Sequence, residues 1–136
     1  MKLIIVDDNY SFRSELIAYL EEELNHDVIA ETASGEEFLT LNNLAEADVV
    51  LMDVRMEGMD GFQATKEVLK KFFKLKVVAL SFDSRNLCIR DLVETGFKGF
   101  IDKGNLFSSL DFTLKQVMCG KYVFPKEIIW NDLYLL

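Results

Sequence analysis

Four short, nearly continuous apolar runs stand out along the chain. None of them alternates apolar with polar residues, which is typical of strands that are buried on both faces. A fifth run, residues 28–30, is shorter and flanked by charge, as expected of a strand at the edge of a sheet. The four longer runs are residues 3–6, 49–52, 77–80 and, more weakly, 97–101. Together they predict a sheet that is covered by helices on both faces.

The segments between these runs have helical spacing. Residues 10–24 place Phe12, Leu16 and Leu20 on one stripe, whereas Arg13 and Glu15 fall outside it. The second helix is predicted to begin after a Ser34 N-cap, with Glu37 as its capping-box partner. The other three helices are predicted to span about residues 61–73, 84–94 and 105–118, and Gly96 and Gly120 follow the last two.

Five successive strand–helix units predict an α/β fold. We expect a doubly wound five-stranded parallel sheet of the flavodoxin-like type, with helices on both faces. The strand order 2-1-3-4-5 is a property of that fold type and does not follow from the sequence.

Length, composition and charge limit the classes of function that the sequence fits. Half of the 136 residues are apolar, which suffices for one core, and no apolar run approaches the roughly 20 residues that span a bilayer. Two aspartates follow the first apolar run too early for a signal peptide. Cys88 and Cys119 are predicted to be buried free thiols, so we expect a cytoplasmic protein without a membrane partner. The net charge of −8 disfavours direct binding to DNA, which another domain would have to provide.

Polar residues follow the predicted strands where ligands bind in an open parallel sheet, beyond the strands' carboxyl ends. The edge strand is followed by residues without evident chemistry. Polar loops in general explain one or two such residues, but they explain poorly a set on four neighbouring strands. The residues at these strand ends are Asp7 and Asp8, then Asp53, then Ser81, and finally Asp102 and Lys103.

This residue set predicts a site for phosphoryl transfer. Carboxylates that lie close together repel one another unless a cation lies among them, and Mg²⁺ prefers oxygen ligands of this kind. Lys103 is a point charge suited to a phosphoryl oxygen, and Ser81 can donate a hydrogen bond to another. One carboxylate then remains as the nucleophile.

These positions resemble the signature of response regulator receiver domains over residues 2 to about 120. The match consists of the acidic pair Asp7-Asp8, the segment Asp53-Val54-Arg55-Met56, the pair Asp60-Gly61, and then Ser81, Phe100 and Lys103. Each motif is weak alone, but their types, order and spacing together are specific.

The resemblance implies a role for each matched residue. Asp53 would be the phosphoacceptor, assisted by Lys103 and Ser81. Asp8 would bind Mg²⁺ directly and Asp7 largely through water, with Asp53 and the backbone carbonyl of Arg55 completing the metal site. Ser81 and Phe100 would form the switch pair, in which the aromatic ring turns inward. The implied partner is a sensor histidine kinase or a phosphotransfer protein, and the domain would catalyse only its own phosphorylation and dephosphorylation.

The sequence departs from the family pattern at three positions. Glu57 and Gly104 stand where the family usually has proline, and Phe82 stands where it has a small residue. The family's proline after the lysine follows a cis peptide bond. A cis bond before a residue other than proline costs about 2.5 to 4 kcal/mol, so we expect a trans bond between Lys103 and Gly104.

Residues 96–103 and 120–125 resemble the receiver subclass that usually precedes a helix-turn-helix DNA-binding domain. This implies transcription regulation through a domain outside these 136 residues, and a phosphorylation-dependent homodimer is a further expectation. We divide the chain into a receiver domain, residues 1–120, and a tail, residues 121–136, which is either linker or a short extra helix. Whether the chain is an excised or a solitary receiver stays open, with excision favoured. The kinase, stimulus, regulated genes and oligomeric state do not follow from the sequence.

Two competing functions remain. A phosphatase of the haloacid-dehalogenase type also uses an aspartate nucleophile, Mg²⁺ and a lysine, but those enzymes have an Asp-x-Asp motif, whereas Arg55 occupies the second position after Asp53 here. A degenerate receiver would bind partners without phosphorylation, although such domains normally lack one of the residues that are present here.

The mouth of the predicted pocket has an unusual composition. Arg55 lies two residues beyond Asp53, and Asp83 lies two residues beyond Ser81. We predict that Arg55 and Asp83 approach each other and, with Phe82, partly cover the site. The alternative is that these charged side chains are simply solvated.

Overall fold

Strands and helices alternate along residues 1–126, the part of the chain that the computed structural model describes. The strands are β1 (Lys2–Val6), β2 (Asp27–Thr32), β3 (Val49–Asp53), β4 (Lys76–Ser81) and β5 (Gly99–Asp102). The helices are α1 (Tyr10–Ala18), α2 (Gly35–Leu39), α3 (Gly61–Lys71), α4 (Ile89–Thr95) and α5 (Leu106–Met118).

The five strands form one parallel sheet in the order β2-β1-β3-β4-β5, which confirms the predicted fold class. The register places Val6 beside Met52, Asp53 beside Leu80 and Ser81 beside Asp102. The carboxyl ends of β1, β3, β4 and β5 therefore meet at one edge of the sheet.

Two apolar layers pack on the sheet because successive strand residues point to opposite faces. One layer contains Ile4, Val50 and Val77 and packs under α2, α3 and α4. The other contains Leu3, Ile5 and Leu51 and packs under α1 and α5. Burial on both faces explains why the strands read as continuous apolar runs.

The strand predicted at the edge of the sheet is there, but it is longer than expected. β2 has six residues, as many as β4, and most of its side chains are only partly buried. At the opposite edge, Phe100 N–H donates to the Val123 carbonyl at 2.9 Å, and Val123 N–H donates to the Lys98 carbonyl at 3.0 Å. A short piece of chain after α5 thus continues the sheet beyond β5.

The prediction for the fourth helix was wrong at its start. Residues 84–86 form a 3-10 turn, and the α-helix begins only at Ile89. Leu87 and Cys88 have extended backbones, and Leu87 is buried in the core, so the helix cannot run through them. The first helix also changes form, because a π-helical turn (Tyr19–Glu23) follows α1.

The predicted capping box at α2 is only half formed. The Ser34 side chain accepts a hydrogen bond from Glu37 N–H at 3.1 Å, as expected of an N-cap. The Glu37 carboxylate accepts from Ala33 N–H at 3.4 Å and so does not close the box on Ser34. A complete capping box occurs instead at α3, between Asp60 and Gln63.

Neither Cys88 nor Cys119 forms a disulfide bond, as expected, but the prediction that both are buried was wrong. Cys88 is half-buried at the N-cap of α4, and Cys119 is exposed at the C-cap of α5. Helix ends carry fewer packing neighbours than helix middles, and the apolar pattern did not distinguish the two. Within residues 1–126, no helix has the length and apolar character needed to cross a bilayer. The short extra helix considered for the tail falls mainly on residues 127–136, outside the described part of the chain.

The start of α3 packs directly on the end of β3, and Gly61 makes this possible. A Cβ atom at Gly61 would lie 2.4 Å from the Asp53 carbonyl oxygen and 2.6 Å from the Val54 Cα. Gly61 N–H also donates to the Val54 carbonyl at 3.1 Å. The glycine therefore fixes the position of the loop that follows Asp53.

We expect Gly61→Ala to lower the free energy of unfolding by about 1 to 3 kcal/mol, the usual cost of an overpacked site. Chemical denaturation measures this change. Gly104→Ala is the matched control, because its nearest neighbour would be a side-chain oxygen of Asp102 at 3.2 Å, which can move. Equal unfolding midpoints for the two variants would contradict this account.

Candidate functional site

The structure brings the predicted polar residues together at the carboxyl edge of the sheet. Asp53 is the last residue of β3 and Ser81 the last of β4, while Asp7 and Lys103 come directly after β1 and β5. One carboxylate oxygen from each of Asp7, Asp8 and Asp53 lies within 4.8 Å of the other two. Asp7 and Asp53 are buried, whereas Asp8 is exposed.

The Lys103 ammonium lies among these carboxylates. Its Nζ is 2.7 Å from Asp7 Oδ2 and 3.4 Å from Asp53 Oδ2, and the Lys103 side chain is only 5% exposed. The buried acids therefore share one buried positive charge. Both ion pairs are shielded from water, so their interaction is stronger than that of a surface pair.

Burial of Asp53 disfavours its ionisation despite the nearby Lys103 ammonium. Burial raises the pKa of Asp53 to about 6, against the opposing effect of the Lys103 ammonium. The neighbouring carboxylates of Asp7 and Asp8 raise this pKa further, while the hydrogen bond from Arg55 N–H lowers it. The Lys103 ammonium thus does not offset the combined effect of burial and of the neighbouring acids on Asp53.

The donor set fits a hard divalent cation. Asp7 Oδ2 is buried and accepts no hydrogen bond from the described residues, although it forms an ion pair with Lys103 Nζ at 2.7 Å. Carboxylate oxygens from three residues within reach of one ion, with one of the residues exposed, are what Mg²⁺ needs when it retains several waters. Such an ion would add the missing positive charge beside Asp53.

Backbone groups hold the acidic side chains in place. Asp53 Oδ1 accepts from Arg55 N–H at 3.1 Å, and Asp7 Oδ1 accepts from Asn9 N–H at 2.8 Å. Each carboxylate therefore keeps its other oxygen directed at the pocket. The Ser81 hydroxyl accepts from Asp83 N–H at 3.1 Å, which leaves the proton of the hydroxyl able to point elsewhere.

The loop after β5 holds its shape without proline. No cis peptide bond occurs among the described residues, so the Lys103–Gly104 bond is trans, as expected. Asp102 Oδ1 accepts from Gly104 N–H at 2.8 Å and closes a tight turn around Lys103. This hydrogen bond stabilises the turn at the position where the family usually has proline.

Arg13 is a residue of the site that the sequence analysis misplaced. It was expected on the solvated side of α1, yet it is buried, and its guanidinium donates to the backbone carbonyl of Asp7. Arg13 Nε also donates to Glu31 Oε1 on β2 at 2.9 Å. Arg13 thus ties the loop that carries both acids to the neighbouring strand. The sequence signal was an arginine next to the apolar stripe of α1, which by itself is common.

The aromatic member of the predicted switch pair already points inward. Phe100 is 1% exposed and packs in the apolar layer under α3 and α4. The resemblance implied that this ring turns inward on phosphorylation. Phe100 therefore has the inward arrangement in this structure.

The predicted contact between Arg55 and Asp83 is absent from residues 1–126. The Asp83 carboxylate accepts a hydrogen bond from the Asn86 side chain instead, because the 3-10 turn brings Asn86 back over Asp83. Phe82 does lie at the pocket mouth, where its ring centroid is 5.4 Å from Lys103 Nζ. The aromatic part of that prediction agrees with the structure, whereas the ion pair was wrong.

Comparison with known proteins places this geometry in a family. The family model described as "Response regulator receiver domain" matches residues 3–113. The response regulator protein VraR of Staphylococcus epidermidis is 29% identical over 129 residues, which cover 95% of this chain and 62% of VraR. The chain thus spans about three-fifths of the length of that relative.

Solved structures agree on the fold. The isolated REC domain of RcsB from Salmonella enterica serovar Typhimurium, determined with the phosphomimetic BeF3-, has a TM-score of 0.80 at 22% identity and covers 96% of this chain and 97% of its own. A structure of two RcsB dimers bound to two parallel DNAs has a TM-score of 0.82 at 22% identity, covering 98% and 68%.

The raised pKa of Asp53 yields a stability prediction. An acid whose pKa is 3.8 when unfolded and about 6 when folded lowers the stability of the fold increasingly as pH rises through that window, and fully above it. Asp53→Asn removes this penalty. In the absence of metal near neutral pH, we expect it to raise the free energy of unfolding by about 1 to 3 kcal/mol, at about 1.4 kcal/mol per pKa unit.

Denaturation with and without Mg²⁺, near neutral pH and near pH 4, tests this prediction. The gain in the free energy of unfolding of Asp53→Asn should nearly vanish near pH 4. Mg²⁺ should stabilise the wild type more than this variant. Glu57→Gln is the control, because Glu57 is exposed. A variant less stable than the wild type near neutral pH would show that the Lys103–Asp53 attraction outweighs the penalty.

Proposed function

This chain belongs to the family of response regulator receiver domains, and from that premise we propose that it accepts one phosphoryl group on Asp53. It is accordingly a phosphorylation-dependent signalling domain and not a conventional enzyme. The observation that carries the proposal is the cluster of Asp7, Asp8 and Asp53 around the buried Lys103 ammonium.

Asp53 is the proposed nucleophile. Its carboxylate oxygen forms the new bond to phosphorus while the bond from phosphorus to the donor's histidine nitrogen breaks, and that imidazole takes up a proton. Arg55 N–H holds Asp53 Oδ1, so Oδ2, which lies 3.4 Å from Lys103 Nζ, is the oxygen proposed to attack. The Lys103 ammonium neutralises charge on a phosphoryl oxygen, and the Ser81 hydroxyl donates to another.

Asp7, Asp8 and Asp53 are the residues proposed to hold Mg²⁺, together with the backbone carbonyl of Arg55. When bound, the ion neutralises negative charge that develops on the phosphoryl oxygens. The carboxylate cluster and the raised pKa of Asp53 support this assignment. Lys103 faces the same oxygens as the metal and complements it without acting as a ligand.

Phosphorylation would change the surface built from α4, β5 and α5. The phosphoryl group adds about two negative charges and three acceptor oxygens next to Ser81. Movement of Ser81 toward it pulls the loop that begins at Phe82, and this favours the inward position of the neighbouring Phe100. The phosphoryl group would bias an equilibrium between existing arrangements toward the inward position of Phe100, the position seen in this structure.

The proposed partners follow from the family. A sensor histidine kinase or a phosphotransfer protein supplies the phosphoryl group, and the phosphorylated form pairs as a homodimer. Regulation of transcription would act through a DNA-binding domain outside these residues, with residues 1–120 as the receiver and 121–136 as tail or linker. We propose a cytoplasmic setting without a membrane partner.

Asp53→Ala should abolish phosphorylation. The wild-type chain incubated with acetyl phosphate and Mg²⁺ should gain the mass of one phosphoryl group, and the gain should disappear with EDTA. The neighbouring carboxylate variant Asp83→Ala should still be labelled. Full labelling of Asp53→Ala would refute the assignment, and an unlabelled wild type would favour the degenerate receiver.

Lys103→Ala separates the lysine's role from that of the metal ligands. It should retain Mg²⁺ binding, because Lys103 is not a ligand, while the phosphorylated chain fails to change its output surface. A loss of Mg²⁺ binding in a folded Lys103→Ala variant would contradict these roles.

Beryllofluoride with Mg²⁺ should shift backbone NMR signals of α4, β5 and α5 as well as those of the pocket. Ser81→Ala is the matched control: it should bind beryllofluoride, yet shift pocket signals only, because the hydroxyl that couples pocket and surface is gone. Shifts confined to the pocket in the wild type would refute the coupling. Light scattering on the same samples tests the homodimer.

A further inference from the structure

Two aromatic rings lie against the Lys103 ammonium, which also contacts the acids of the pocket. Lys103 Nζ is 4.5 Å from the ring centroid of Phe12 and 5.4 Å from that of Phe82. The two rings also contact each other edge to face, with centroids 6.0 Å apart and an interplanar angle of 68°. Phe12 and Phe82 together form what we call the aromatic clamp.

The clamp joins two separate parts of the fold across Lys103. Phe12 lies on α1 and packs partly against the apolar layer under α1 and α5, whereas Phe82 begins the loop after β4. Phe82 is 67% exposed, so burial of its own ring does not account for its position. Its contacts are with Phe12 and with the lysine, whose side chain remains 5% exposed beneath it.

A ring face attracts an ammonium without offering it an anion. The charge of Lys103 is therefore stabilised from the clamp side while the ammonium stays free to bind oxygens on the pocket side. Both rings are apolar, and the Lys103 side chain against which they lie is only 5% exposed. A second acid at either position would instead compete with the phosphoryl group for Lys103.

We propose that Phe12 and Phe82 are positioning residues that hold the Lys103 ammonium toward the phosphoryl site and keep water from it. The inference rests on the proposed phosphorylation of Asp53. Hydrolysis forms a bond between a water oxygen and phosphorus and breaks the bond from phosphorus to the Asp53 oxygen, releasing inorganic phosphate and a proton. By fixing Lys103 and limiting the access of water, the clamp slows this hydrolysis and lengthens the lifetime of the phosphorylated form.

The first test is NMR of the Lys103 side chain in the unphosphorylated 136-residue chain. Protons next to Nζ lie over two ring faces, so they should resonate upfield of those of other lysines. Phe12→Leu and Phe82→Leu should each remove part of this shift. Phe73→Leu is the control, because exposed Phe73 has Lys74 Nζ 5.9 Å from its ring centroid and lies outside the pocket.

The second test is the lifetime of the phosphorylated chain after removal of acetyl phosphate. We expect Phe12→Leu and Phe82→Leu each to shorten it about fivefold, which corresponds to about 1 kcal/mol. Phe82→Tyr keeps the ring face and should retain the wild-type lifetime, as should Phe73→Leu. All of these variants retain Asp53, Lys103 and Ser81, so the residues of the phosphoryl site are unchanged.

Unchanged Lys103 shifts in both leucine variants, or unchanged lifetimes, would overturn the clamp. A shortened lifetime in Phe82→Tyr equal to that in Phe82→Leu would overturn the role of the ring face. The NMR test needs no phosphorylation, so a chain that cannot be phosphorylated would refute the proposed function and leave the clamp decided by the shifts alone.

Discussion

The repulsion among buried carboxylates is the interaction on which the rest of the site depends. Asp7 and Asp53 are buried beside each other, with Asp8 at the surface, and a single ammonium lies among them. Burial raises the pKa of Asp53 to about 6 even in the presence of Lys103. Buried carboxylates of this kind create affinity for a cation, because an ion among them offsets both their mutual repulsion and the cost of burying their charge.

Such a charge cluster requires a rigid frame, and the structure supplies it with backbone contacts. Arg13 binds the Asp7 carbonyl and reaches Glu31 on the next strand. Gly61 lets α3 approach the end of β3, and Asp102 closes the turn after Lys103. Each contact fixes a loop that carries one of the charged groups, so the acids cannot relieve their repulsion by moving apart.

The same frame connects the pocket with the outer surface. Ser81 and Phe100 lie on the adjacent strands β4 and β5, the first at the pocket and the second in the core under α3 and α4. A hydroxyl that moves at the end of β4 therefore acts on a ring one strand away. The clamp of Phe12 and Phe82 contacts Lys103 and joins α1 to the loop after β4.

The sequence by itself determined the alternation of strands and helices and the residues that meet at the sheet edge. Continuous apolar runs and helical stripes are local signals, and each strand end can be read directly from them. Tertiary structure alone decided that Arg13 is buried, that Leu87 interrupts the fourth helix, and that Phe12 meets Phe82. These outcomes depend on contacts between segments distant in the chain or on competition for core space, and no local pattern contains that information.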